Sequence, residues 1–211
     1  MGVSKKIAMN WYIIFSLASL AICLIAYNYH LIKIITLGKP KDFSEPKGKI
    51  GPAIVYSFTG GMNPKKKESA FFHLPTYIAG IIYHLGTFIS IALFFFFLIG
   101  TYFNEKIKIF ISLFLFLSCL CGIGILIKRI INKDLRSLSN PDDFISNILV
   151  TGFQLITALY VIFFTPLYFI FTGLLLLYLP VGKLKHSIYF FAARYHLGFF
   201  YGRRKVWPPD S

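Results

Sequence analysis

The chain has 211 residues, of which 56% are hydrophobic and 18% aromatic, and only 14% are charged, against about 25% in an ordinary soluble domain. That balance excludes a water-soluble globule and makes this a membrane protein. A formal net charge of +14 might suggest nucleic acid, but the cations lie in loops flanking apolar runs, as topology and anionic headgroups require, so no nucleic-acid partner is expected.

The chain opens with KKIAMNWYIIFSLASLAICLIAYNYH. Its apolar run exceeds a signal-peptide core and no small-x-small cleavage site follows, so it is read as the first span, 7–34. Loop 35–73 is rich in Gly, Pro and Lys yet carries IGPAIVYSF in its middle, the mark of a structured element that packs on a cytoplasmic partner or lies on the membrane surface. Uncharged runs place the second and third spans at 74–101 and 107–127, each close to or above the ~20 residues that cross the hydrocarbon.

Residues 144–182 run without a charge and would make a helix of about 58 Å, nearly twice the core thickness. The run must fold back, and Thr165-Pro166 is the natural break, because proline disfavours helix in the residue before it and suits a first turn. The fourth and fifth spans are therefore 144–164 and 166–186, leaving 187–211 as a tail. The expectation is an all-α, five-span transmembrane bundle forming a single membrane domain over 1–211, without a detectable repeat. Cys23, Cys119 and Cys121 lie inside spans with neither metal-site spacing nor a disulfide framework, and read as packing residues.

Lysine and arginine counts test the layout. Five spans put 4 cations on one side and 18 on the other, so the N-terminus is expected outside and loops 35–73 and 128–143 and the tail in the cytoplasm, as in a multi-pass protein of the cell inner membrane. Four spans would set the KLK and GRRK segments outside, against the same rule.

The five histidines then acquire depths. His73 and His84 share one helix face, eleven residues or about 16 Å apart, His73 at the cytoplasmic edge and His84 within the bilayer. His186 closes the fifth span at the cytoplasmic edge, His30 sits in the cytoplasmic half of the first span, and His196 falls in the tail. Ionisable residues inside spans mark pathways, relays or ligand sites, although a histidine hydrogen-bonded to a neighbouring helix is an ordinary structural feature too. Zinc needs four close ligands, which a 16 Å separation cannot supply, and proton relays want carboxylates, which the spans lack. Haem remains, since its iron takes two axial imidazoles from opposed helices and its macrocycle suits a Phe-, Leu- and Gly-lined pocket. Antiparallel second and fifth spans would set His73 opposite His186, with Gly80, Gly86, Gly173 and Gly182 allowing close approach.

The fifth span and its exit, LYFIFTGLLLLYLPVGKLKHSIYFFAARYHLGFFYGRR, resemble the membrane cytochrome b (gamma) subunit of respiratory nitrate reductase. The likeness lies in an apolar helix ending in Pro180, then Lys183, Leu184 and His186, and in the second-span pair His73 and His84. It covers most of the chain from about residue 74. The GMNPKKKES and GRRKVWPP segments suit equally the related membrane subunits of heterodisulfide-reductase-like and sulfite-reductase-linked complexes. The resemblance implies two b haems, with a second ligand on the fifth helix about five turns upstream of the first. That position here is Tyr168, so His84 lacks its expected partner. One haem held by His73 and His186 follows, or two if His30 or Tyr168 serves with His84, or if His84 serves alone. A fifth span shifted to 184–201 would instead pair His73 with His196 and His84 with His186, at the cost of charges in the membrane.

The implied function is that of a membrane cytochrome b subunit of a respiratory oxidoreductase, passing electrons through haem b between the quinone pool and a cytoplasmic iron–sulfur subunit docked on the loops and tail. Arg194, Arg203 and Arg204 could pair with haem propionates or partner carboxylates, and are equally the cations that the positive-inside rule demands. The rival is a haem-free membrane anchor of the same fold whose histidines serve packing. A small transporter is disfavoured by the absence of intramembrane carboxylates and repeats.

Overall fold

The computed structural model describes residues 10–37, 42–63, 73–101 and 103–209, all helix and connecting segments without strands. The helices are α1 (Trp11–Thr36), α2 (Ile50–Phe58), α3 (Leu74–Leu98), α4 (Glu105–Ile131), a short α5 (Lys133–Ser137), α6 (Pro141–Ile162), α7 (Leu167–Tyr178) and α8 (His186–Arg203). Among the described residues α1, α3, α4 and α6 are long and apolar enough to cross a membrane, and α7 with the segment beyond it makes up to five. The chain is a multi-pass membrane protein. Lys5 and Lys6 and most of GMNPKKKES lie outside the described residues.

Each helix end has a local cause. Asn104 caps α4 by accepting from the Ile107 amide at 2.9 Å. In Asn140-Pro141-Asp142-Asp143 a complete capping box starts α6: the Asn140 side chain accepts from the Asp143 amide and the Asp143 carboxylate accepts from the Asn140 amide, both at 3.0 Å, with Pro141 in the first turn. As the sequence predicts, α6 and α7 part at Thr165-Pro166. The expected fifth span 166–186 is corrected, however: α7 stops at Tyr178 because Pro180 has no amide to continue the ladder, and the Tyr178 carbonyl accepts instead from the Val181 and Gly182 amides at 3.1 and 2.9 Å. The tail is corrected too, since His186–Arg203 is an 18-residue helix.

Backbone contacts group the chain into two compact units, one of 1–23 and 75–184, the other of 24–74 and 185–211. The first holds most of α3, α4, α6 and α7 and the start of α1. In lipid there is little hydrophobic drive between helices, so small residues and interhelical hydrogen bonds hold a bundle together. Gly86 of α3 faces Ser118 of α4 and Gln154 of α6 so closely that a methyl group would collide with the Ser118 hydroxyl. Ser118 donates to the Ile82 carbonyl at 3.0 Å, Ser112 to Ala158 at 3.1 Å, and the buried Gln154 amide to the Tyr83 carbonyl at 3.0 Å and the Thr87 hydroxyl at 2.8 Å. At the α6–α7 turn Tyr160 stacks on Tyr168 with centroids 4.4 Å apart, and Phe97 closes on Tyr160 at 4.7 Å. At the other end of α6, Tyr178 donates to Asp142 and Lys183 reaches Asp143, so α7 and the residues after it accompany α6 along its whole length.

In the second unit α8 lies on α2. Gly198 and Gly202 form the contact: a Cβ on Gly198 would stand 2.5 Å from the Ile54 Cα, and one on Gly202 2.5 Å from the Ala53 Cβ. The Ser57 hydroxyl donates to the Arg194 carbonyl at 2.9 Å. Segment 42–49 is strapped to the end of α8 through Lys47 N to Arg203 O at 2.8 Å, and Trp207 packs on Tyr56 and Tyr201 at centroid distances of 5.4 and 4.6 Å. IGPAIVYSF is thus a helix, and the element expected inside the long loop is real.

Candidate functional site

The four candidate histidines fall at helix ends or on outer faces, outside both hydrophobic cores. His73 is the turn residue just before α3 and is exposed. His186 is the first residue of α8, also exposed. His30 is half-buried in the last third of α1, its ring edge-on to Tyr29. These three belong to the second unit, together with the exposed His196. His84 belongs to the first unit and lies on the outer face of α3, away from the side that carries Tyr83, Gly86 and Ser90 into the core.

One contact bears on pairing. Tyr27 and Ser187 have hydroxyl oxygens 3.2 Å apart, and His30 is one turn from Tyr27 on the same face while His186 adjoins Ser187. The turn of α1 that carries His30 therefore lies beside the first turn of α8, so His30 joins His73 as a candidate companion of His186. Among the described residues no cluster of three or more His, Cys, Asp or Glu could hold a bare metal ion. Two imidazoles suffice for a haem, and accessible rings at helix ends fit that donor requirement.

Two site expectations are corrected. Tyr168 does not face His84: it is wholly buried among Tyr160, Phe153, Phe97 and Phe169, and that aromatic stack fills the space a macrocycle would need. The four glycines do not draw the second and fifth spans together either. Gly86 serves the contact with α4 and α6, Gly173 meets Phe15 and Ser19 of α1, Gly182 meets the Tyr178 ring in its own segment, and Gly80 has nothing within 4 Å of a would-be Cβ.

Two charged arrangements escaped sequence reasoning. Asp143, its side chain 5% exposed, lies 3.0 Å from Arg129 and is also held by Lys183, while Tyr178 bonds both Asp142 and, at 3.2 Å, Ser146. An uncharged fourth span of 144–164 holds no carboxylate, but α6 starts three residues earlier and carries both aspartates in its first turn. The N-P-D-D string, a capping-box signature, was the available signal. In the second unit Arg204 grips Asp42 in a bidentate pair of 2.8 and 3.0 Å, and Arg203 donates to the Ser44 carbonyl at 2.9 and 2.6 Å. These two arginines fasten their own chain, so they are not spare cations for propionates. Bonds from Ser44, with the Arg204 guanidinium, hold the Asp42 carboxyl well below the usual carboxylate range.

Comparison with protein-family models, curated proteins and solved structures finds no match to this chain.

Proposed function

We propose that this chain is the membrane cytochrome b subunit of a respiratory oxidoreductase in the cell inner membrane, with five crossings, its N-terminus outside and its tail in the cytoplasm. The observation that carries this reading is the placement of the imidazoles. His73 and His186 stand exposed at helix ends in one unit, and His30 is half-buried on the turn of α1 that lies beside the first turn of α8. Imidazoles accessible at helix ends are open to a planar group as axial donors. The haem-free anchor, whose histidines serve packing, accounts less well for rings on outer faces.

In this reading His186 and His73 hold one haem b, with His30 the alternative companion of His186. Bound haem supplies one-electron exchange between ferric and ferrous iron, the step that joins two-electron quinol chemistry to an iron–sulfur partner. The protein's part is to present the imidazoles at the ends of helices fixed by packing. A partner subunit in the cytoplasm docks on the loops and tail.

The test is a dithionite-reduced minus oxidised spectrum of the full chain purified from haem-supplied cells. A b-type signal is expected, abolished by His186→Ala and by one of His73→Ala or His30→Ala, and kept in His196→Ala. A featureless spectrum at full haem supply would establish the anchor instead.

A further inference from the structure

Three lysines of the second unit come together where the strap meets the end of α8. Gly48, between Lys47 and Lys49, lies so close to that end that a Cβ on it would stand 2.8 Å from the Lys205 Cα and 2.4 Å from the Gly202 carbonyl oxygen. The Lys47 and Gly48 amides both donate to the Arg203 carbonyl, at 2.8 and 3.3 Å. The backbones of Lys47, Lys49 and Lys205 are thereby held side by side, and all three residues are exposed. The ion pairs of this region join Asp42 to Arg203 and Arg204 and leave these lysines out. Like charges at such spacing repel, and a helix C-terminus offsets only part of that. Lys205 carries a second cost. It follows the C-cap of α8 with a φ of 57°, in the left-handed region where glycine is the usual residue and a Cβ is disfavoured. Glycine would serve the fold better there, so the lysine is kept against the local preference.

The surroundings of the three lysines select the kind of partner. Val206 is 48% exposed and Trp207 and Pro208 are half-buried next to Lys205, while Ser44, Glu45, Lys47 and Arg204 line a shallow hollow. Apolar and aromatic residues rimmed by charges of both signs are the make-up of a protein interface. A nucleic acid or an anionic bilayer would meet the exposed Glu45 as a repulsive charge. The bidentate Arg204–Asp42 clamp fixes the strap, so the spacing of the ammonium groups is set before anything binds. We infer that Lys47, Lys49 and Lys205 form a pre-arranged docking surface for the acidic face of a soluble protein, whose carboxylates neutralise the three ammonium groups. This assigns a surface to the cytoplasmic partner proposed above, and it rests on that part of the reading and not on haem.

The probe is a fluorescent helical peptide rich in Glu and Ala, titrated onto the full chain in phosphatidylcholine discs and followed by anisotropy. Binding is expected to weaken several-fold in each of Lys47→Gln, Lys49→Gln and Lys205→Gln. It should hold in Lys106→Gln, Lys108→Gln and Lys133→Gln, which remove the same charge from the first unit. Two further variants separate docking from bulk charge. Lys205→Gly should raise the melting temperature while weakening the peptide, because it relieves the left-handed residue and removes an ammonium group. Asp42→Asn adds a positive charge yet should also weaken binding, because it opens the clamp that sets the spacing. The inference is overturned if both sets of lysines weaken binding equally, or if Asp42→Asn tightens it. It is overturned as well if phosphatidylglycerol vesicles capture the chain through the same three lysines more strongly than the peptide does, which would make the patch a lipid contact. No arm of the experiment requires haem, so a featureless spectrum with intact peptide binding would refute the cytochrome and keep the docking surface.

Discussion

Both units combine glycine contacts with hydroxyl-to-carbonyl bonds, as at Gly86 and Ser118 in one and Gly198 and Ser57 in the other, and both keep their ion pairs at helix ends. In the bundle, helices meet through hydroxyl and amide side chains bonded to carbonyls of the neighbouring helix, as Ser118 does to Ile82 and Gln154 to Tyr83. In the α2–α8 unit, two glycines bring backbone onto backbone, and the connecting strap is closed by arginines on a carboxylate. The difference lies between helix middles and helix ends, and it teaches which surroundings each contact suits. Neutral glue suits hydrocarbon, where an ion pair carries a large desolvation cost, while guanidinium–carboxylate clamps belong where water and headgroups reach.

Substitutions at the contacts sharpen that division, and the largest effect is expected at Gly198. Gly198→Leu would drive a side chain into the Ile54 backbone, which cannot yield, and should destabilise the α2–α8 contact by about 3 kcal/mol. Limited proteolysis would then cut near 42–63 while the bundle stays intact. If bundle and tail unfolded together, the separation into two units would be wrong. Next comes Gly86→Ala, whose methyl collides with the Ser118 hydroxyl and strains the α3–α4–α6 junction by roughly 1–3 kcal/mol, read as a lower melting point in detergent with the tail's proteolysis unchanged. Gln154→Leu should cost less, about 0.6–2 kcal/mol, because transmembrane hydrogen bonds are individually modest and leucine refills much of the volume. It should leave hydrogen exchange in 42–49 unaltered.

The strap offers a pH test with a definite sign. Asp42 has a folded-state pKa depressed from its usual 3.8, so the clamp's contribution is complete at neutral pH and is lost only as pH falls below that value. Exchange protection of 44–48 should be flat from about pH 8 to pH 5 and decline in more acidic buffer. Asp42→Asn should remove the acid-dependent step, and persistence of that step would assign it to another group. Smallest of all is Gly80→Ala, where nothing lies within 4 Å and the helix gains propensity, so stability should stay within about 0.5 kcal/mol or rise slightly. A clear loss there would reveal an occupant on the His84 face of α3.

Hydropathy made the spans legible, and the proline at 166 made the α6–α7 turn legible, because both are local and lipid leaves a chain few alternatives. Pro180 carried the same message as Pro166, but the long uncharged run concealed it. Pairings across the chain were not legible at all. Asp42 and Arg204 are 162 residues apart, and no local pattern joins them. His186 was expected to close the fifth span and His196 to lie in a tail, whereas both belong to α8, and whether a ring points inward or outward depends on which face the neighbouring helices cover, which is decided in three dimensions. Tyr168 shows the limit most plainly: its position along the helix matched an expected ligand, and its aromatic neighbours rule it out.

Arg129 and Lys183 flank separate apolar segments, and both end on the carboxylate of Asp143. Arg129 follows Lys128 and Lys183 precedes Lys185, so each belongs to a cationic pair beyond the end of its apolar segment. Once the last hairpin closes, the same two side chains become a latch between three stretches of the chain. A variant such as Asp143→Asn would therefore leave both cationic pairs in place and loosen only the finished assembly.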